Sequence, residues 1–218
     1  VEPDPGNAGE REEIMTTNTR VSAAPKRSLN WRVVDIVVAS VLGVACGFVF
    51  LGWNAVGYAW FEAMDALTPG LGGIATGIWL IGGVLGGLII RKPGAAVYVE
   101  VLAATVSAVL GSQWGISTLY SGLAQGIGVE IILAIFLYRK FGLGVSILAG
   151  MAAGWGAFIL ELFLSGNLAR SFEFKVIYLA TLSVSGAILA GALGYFVVKA
   201  LAKTGALDRF AAGREQRA

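Results

Sequence analysis

The sequence predicts an all-α integral membrane protein, a bundle of six transmembrane helices with both termini in the cytoplasm. Three observations carry that prediction. First, 56% of the 218 residues are hydrophobic and 14% are charged, and the mean hydropathy is +0.76. An average soluble domain carries about 25% charge, so this chain lacks the polar groups to cover itself in water. Second, the apolar residues gather into six runs, each close to the roughly 20 residues that a spanning helix needs. Third, the basic residues alternate between the connections.

Taken in order, the runs cover residues 33–51, 69–90, 95–110, 117–137, 143–164 and 176–201. The third is the shortest. Lys26, Arg27 and Arg32 precede the first run, Arg91 and Lys92 follow the second, Arg139 and Lys140 follow the fourth, and Lys199, Lys203 and Arg209 close the sixth. Of basic residues the other connections hold only Arg170 and Lys175. The positive-inside rule puts the basic side, and with it both termini, in the cytoplasm. Residues 1–30 are polar, mixed in charge and poor in aromatics, and read as a disordered cytoplasmic tail. Residues 31–205 form the transmembrane domain, and 206–218 read as a second cytoplasmic tail.

Small residues recur four apart in several runs: Ala39, Gly43 and Gly47; Gly73 and Gly77; Gly83 and Gly87; Gly122 and Gly126; Gly186, Ala190 and Gly194. Such stripes let helix backbones approach closely, inside the bundle or against a partner membrane protein. No convincing internal repeat is present, which weighs against an inverted-repeat carrier.

What is missing narrows the chemistry. There is no histidine and one cysteine, Cys46. That removes the Ser-His-Asp triad, most zinc sites and any intrachain disulfide. No P-loop pattern occurs, so the chain cannot hydrolyse ATP by that device. No basic stripe with interleaved aromatics suggests nucleic acid. The chain is expected not to be an enzyme, and to need no cofactor and no metal.

Apart from Asp35 at the very start of the first run, three acids lie inside the runs: Glu100, Glu130 and Glu161. An ionisable group in a bilayer costs at least about 2.5–3.5 kcal/mol, so it normally faces the interior and has a purpose. Glu100 lies nine residues after Arg91, and Glu130 nine before Arg139. If both helices are continuous, each sits about 13 Å from the basic interface, near the middle of a hydrocarbon core about 30 Å thick. Glu161 lies near the other end. Apart from Lys199, near the end of the sixth run, no Lys or Arg falls inside a run to pair with them. The acids are therefore expected to receive a cationic or hydrogen-bond-donating solute, or else to bond neighbouring helices. Gln113, Trp114, Tyr120 and Gln125 cluster around the start of the fourth run, and Trp53 and Trp79 lie in or beside the first two. Aromatic rings can clamp a flat heterocycle, and Trp offers the best face for a cation. The candidate binding residues are thus Glu100, Glu130, Gln113, Trp114, Gln125, Trp79, Trp53, Tyr120 and Glu161.

The segments FLGW (50–53), GIW (77–79), IIRKPGAAVYVE (89–100), GSQWG (111–115), SGLAQGIGVE (121–130) and YRKFGL (138–143) together resemble the YkoE family. These are substrate-binding S-components of energy-coupling-factor (ECF) vitamin transporters. The likeness covers roughly residues 31–200 and is most specific from 89 to 130. It implies a six-helix subunit that captures thiamine or its hydroxymethylpyrimidine precursor on the outer face. It also implies a transmembrane coupling protein and two cytoplasmic ATPases as partners. The stripe Ala39, Gly43 and Gly47 is similar to the one by which S-components meet the coupling protein. The rival readings are a stand-alone proton-coupled secondary transporter for a cationic or heterocyclic small molecule, and a structural membrane anchor.

Overall fold

A computed structural model describes residues 28–215. The tail expected at 1–30 falls almost wholly outside them, as do residues 216–218. Helix α1, Val33–Leu67, is 35 residues long, about 52 Å. That exceeds a hydrocarbon core of about 30 Å. The expected end near residue 51 is corrected by 16 residues. Gly52 and Gly57 weaken a helix without stopping it. The stop comes where Pro69 forces Thr68 into extended backbone, φ −151° and ψ 121°.

The second run is not one α-helix. Residues Leu71–Leu80 form a 3-10 helix, long for a geometry that seldom exceeds three or four residues. It passes directly into α2, Ile81–Ile90, every residue of which is buried. Helices α3 (Ala95–Val109), α4 (Ser117–Ile135) and α5 (Leu143–Leu164) follow. The last rod comprises α6 (Phe172–Ser185), a π-helical segment Gly186–Ala192 and α7 (Leu193–Lys203). A short α8, Ala211–Arg214, ends the described chain. Among the described residues, five helical rods are long and apolar enough to cross a membrane, and α3, at 15 residues, is shorter.

The rods run alternately up and down around the central α2. Small residues, within the stripes and beyond them, are where the rods touch. A methyl group on Gly150 would strike the Gly186 carbonyl, one on Gly128 the Ala152 carbonyl, and one on Gly156 the Ala124 carbonyl. The stripe Ala39, Gly43 and Gly47 is likewise internal. Ala39 is 0% exposed, and Gly43 and Gly47 face Leu102 and Val106 of α3. The expectation that this stripe meets a partner is therefore corrected: α3 already occupies it, because glycine lets the two backbones close on each other.

Both ends of the unit beginning at Trp31 meet at the turn 91–94. The Trp31 indole donates to the Pro93 carbonyl (3.0 Å). Asp35, 0% exposed, pairs with Arg32 (2.8 Å) and with Lys92. Arg91 pairs with Glu215 (2.5 Å) and lies 4.5 Å from the Phe141 ring centre. The segment expected as a tail from 206 packs back on this end, with Leu207 and Phe210 buried. Burying these two apolar side chains contributes about 3–6 kcal/mol toward holding the segment there.

Candidate functional site

At the other end of the bundle the rods part around a cavity of about 370 Å³. The extension of α1 forms one wall, with Asn54, Tyr58, Phe61 and Asp65 on one helical face. The 3-10 segment contributes Thr76 and Trp79, α3 contributes Glu100 and Ser107, and α4 contributes Ser121 and Gln125. Glu161, Arg170 and Tyr178 line the side formed by α5 and α6.

Glu100 is 1% exposed. Its Oε2 accepts the Gly83 amide, which lies in the first turn of α2, where helix N–H groups lack an intrahelical acceptor. Glycines at 82 and 83 make this approach possible, because a Cβ on Gly82 would stand 2.8 Å from Oε2. Oε1 accepts from the Gln125 amide nitrogen (3.0 Å), which also donates to the Trp79 carbonyl (3.1 Å), while Ser121 donates to the Gln125 oxygen (2.7 Å). This amide orientation is the one its neighbours require. An ionised carboxylate offers about four lone-pair positions, and these bonds use two. Among the described residues no ion pair reaches Glu100.

A second polar chain lies beside it. Asn54 donates to Ser107 (3.1 Å) and accepts from the Trp79 indole (2.9 Å). Trp114 stands edge-on to both Trp79 (5.5 Å) and Tyr58 (5.3 Å), and is held there by the loop between Gly111 and Gly115, whose φ angles are +111° and +53°. The aromatic line continues through Phe61 to Tyr178 and Phe174. Tyr178 donates to Glu161 (2.5 Å), and Arg170 lies over the Phe174 ring (4.9 Å).

Of the nine expected residues, Glu100, Gln125, Trp79, Trp114 and Glu161 share this cavity. Four stand elsewhere. Trp53 lies behind Trp79, edge-on to it, and donates to the Ala75 carbonyl (2.9 Å). Gln113 and Tyr120 are exposed. Glu130 accepts from the Ala96 amide (2.8 Å) and from Tyr138 (2.6 Å). The continuous helix expected to carry it on to Arg139 is not present. Helix α4 ends at Ile135, Leu137 and Tyr138 take left-handed backbone (φ 52° each), and Tyr138 folds back to Glu130. Only about five residues, or 7–8 Å, separate Glu130 from its helix end. Burial, together with the Glu130 bond, pushes the Tyr138 phenol above its ordinary range, so it remains the donor.

The sequence reading missed Asn54, Tyr58, Asp65, Ser107, Arg170 and Tyr178. A signal existed for the first three. Positions 54, 58, 61 and 65 repeat at helical spacing, visible once α1 is read past residue 51.

Comparison with known proteins agrees with this architecture. A family model described as "ABC-type cobalt transport system, permease component" matches residues 34–156. A Bacillus subtilis (strain 168) protein, YkoE, whose name carries "HMP/thiamine permease", is 37% identical over 190 residues, covering 85% of this chain and 92% of that protein. A solved structure described as "Crystal structure of an S-component of ECF transporter" superposes with a TM-score of 0.80 at 35% identity, covering 86% of this chain and 94% of the other. These relatives are transporter subunits and not enzymes. The chain is thus a multi-pass cell-membrane protein and a substrate-binding membrane subunit, and it belongs to the YkoE family of ECF transporter S-components.

Proposed function

We propose that this chain captures thiamine or its hydroxymethylpyrimidine precursor from outside the cell and presents it for ATP-driven uptake. In this reading the rods and α3 make six crossings, and both termini lie in the cytoplasm. The cavity then opens outward, opposite the end closed by Asp35, Lys92, Arg91 and Glu215. A transmembrane coupling protein and two cytoplasmic ATPases supply the energy.

One observation carries the proposal. Glu100 lines the cavity with spare acceptor positions and, among the described residues, no ion-paired cation. An aminopyrimidine supplies an exocyclic NH₂ as donor, with ring nitrogens beside it. The Glu100 carboxylate takes the donor, and Asn54 and Gln125 read the neighbouring edge. The Trp79 and Trp114 rings suit a flat heterocycle, and a thiazolium cation gains from an aromatic face. The cavity volume falls within the range of small-molecule pockets, about 300–1,000 Å³. The name of the B. subtilis relative supports the same solute class.

A metal cargo, suggested by the family model's description, fits the donor set less well. The chain has no histidine, and the described residues contain no group of three or more His, Cys, Asp or Glu side chains able to hold an ion.

The test is tryptophan fluorescence of the purified chain titrated with thiamine and with hydroxymethylpyrimidine. Saturable quenching by at least one supports the proposal, and no response to either rejects it. Uptake into proteoliposomes distinguishes the coupling. The proposal expects transport only with coupling protein, ATPases and ATP. Transport by the chain alone, driven by a pH gradient, would mean a secondary carrier instead.

A further inference from the structure

The end that carries the described termini holds a second hollow, of about 210 Å³. Its lining is basic: Arg91, Arg139 and Lys199 face it, with Glu215 as the one acid. Arg91 is already engaged, donating to the Leu88 carbonyl (3.0 Å) and pairing with Glu215 (2.5 Å). Arg139 and Lys199 form no ion pair or side-chain hydrogen bond among the described residues. Two positive charges therefore converge on the hollow uncompensated. Gly142, the N-cap of the 22-residue α5, lines the same space, and the first amides of a helix add positive potential. Apolar side chains flank the hollow. Leu143 and Phe196, each adjacent in sequence to a lining residue, are exposed apolar side chains.

We propose that this hollow binds a phosphate group. A phosphate brings one or two negative charges and several acceptor oxygens, matching an arginine fork, a lysine and helix amides together. Two sources share that chemistry: the headgroup of an anionic phospholipid, reached past Leu143 and Phe196, and free inorganic phosphate.

The experiment uses the full chain in phosphatidylcholine nanodiscs. One arm adds a minor fraction of phosphatidylglycerol in phosphate-free buffer, and the other adds inorganic phosphate without anionic lipid. Native mass spectrometry and thermal melting give the bound species and its apparent affinity. Binding in the first arm assigns a lipid headgroup, and binding in the second assigns soluble phosphate. At about five-fold per basic residue, the double variant Arg139→Gln, Lys199→Gln loses about 25-fold in affinity. Lys140→Gln removes a charge from the same end but outside the hollow, and keeps wild-type binding. Melting in phosphatidylcholine alone verifies that each variant folds. Three results overturn the proposal: no binding in either arm, a double variant that binds like wild type, or an equal loss in Lys140→Gln, which would mean diffuse surface charge.

Discussion

Glu100 on α3 and Glu130 on α4 perform the same local task in different surroundings. Each accepts a backbone N–H in the first turn of a neighbouring helix, Gly83 for one and Ala96 for the other. Around Glu130 a phenol from the same chain supplies the second donor, and the carboxylate lines no described cavity. Around Glu100 the second donor is an amide, and unused acceptor positions face open volume. A buried acid therefore does not mark a binding site by itself. In the proposed function the adjoining space does, together with the lack of an ion-paired cation among the described residues. The two ends of the bundle repeat the contrast. At one end the buried Asp35 is matched by Arg32 and Lys92, and Arg91 by Glu215. The other leaves Glu100 unmatched beside a hollow lined with aromatic rings.

Substitutions can break this contrast from either side. The largest effect is expected at the closed end. Lys92→Met leaves buried Asp35 with Arg32 alone, at a cost of about 3 kcal/mol. Thermal melting would then fall by roughly 6–12 °C, with solute affinity unchanged in the folded fraction. Tyr138→Phe removes a charge-assisted bond worth about 1.5 kcal/mol. The expected result is a melting decrease of roughly 3–6 °C and no change in calorimetric binding. Gly82→Ala acts on the open end. Its methyl group displaces the Glu100 carboxylate, and affinity should fall about ten-fold, or 1.4 kcal/mol, with little change in melting. Trp114→Ala removes one aromatic face and should weaken a cationic ligand about five-fold, and hydroxymethylpyrimidine less, as a parallel titration of both would report.

Much of this organisation is legible in the amino-acid order. Hydropathy locates the helices, because lipid tolerates little else, and α5 is found with the bounds expected. Glu100, Gln125 and Trp79 stand out because such groups deep inside apolar runs are rare, and Trp114 because it stands in the short loop between two runs. The remainder depends on contacts that local pattern does not encode. The length of α1 is set by Pro69, beyond a stretch whose polar residues look like a loop. The depth of Glu130 was counted along a helix that turns aside at Leu137. The stripe at Ala39, Gly43 and Gly47 announces close packing but not its partner, which is α3. The Asp35–Lys92 pair spans 57 positions, a separation over which no sequence spacing is informative.

The most direct measurement is calorimetric titration of thiamine into the purified wild-type, Glu100→Gln and Glu130→Gln proteins, side by side. Replacing the carboxylate that lines the cavity should weaken binding by about 100-fold, or 2.7 kcal/mol, while Glu130→Gln binds like wild type. Wild-type affinity in Glu100→Gln, or an equal loss in both variants, would contradict the account.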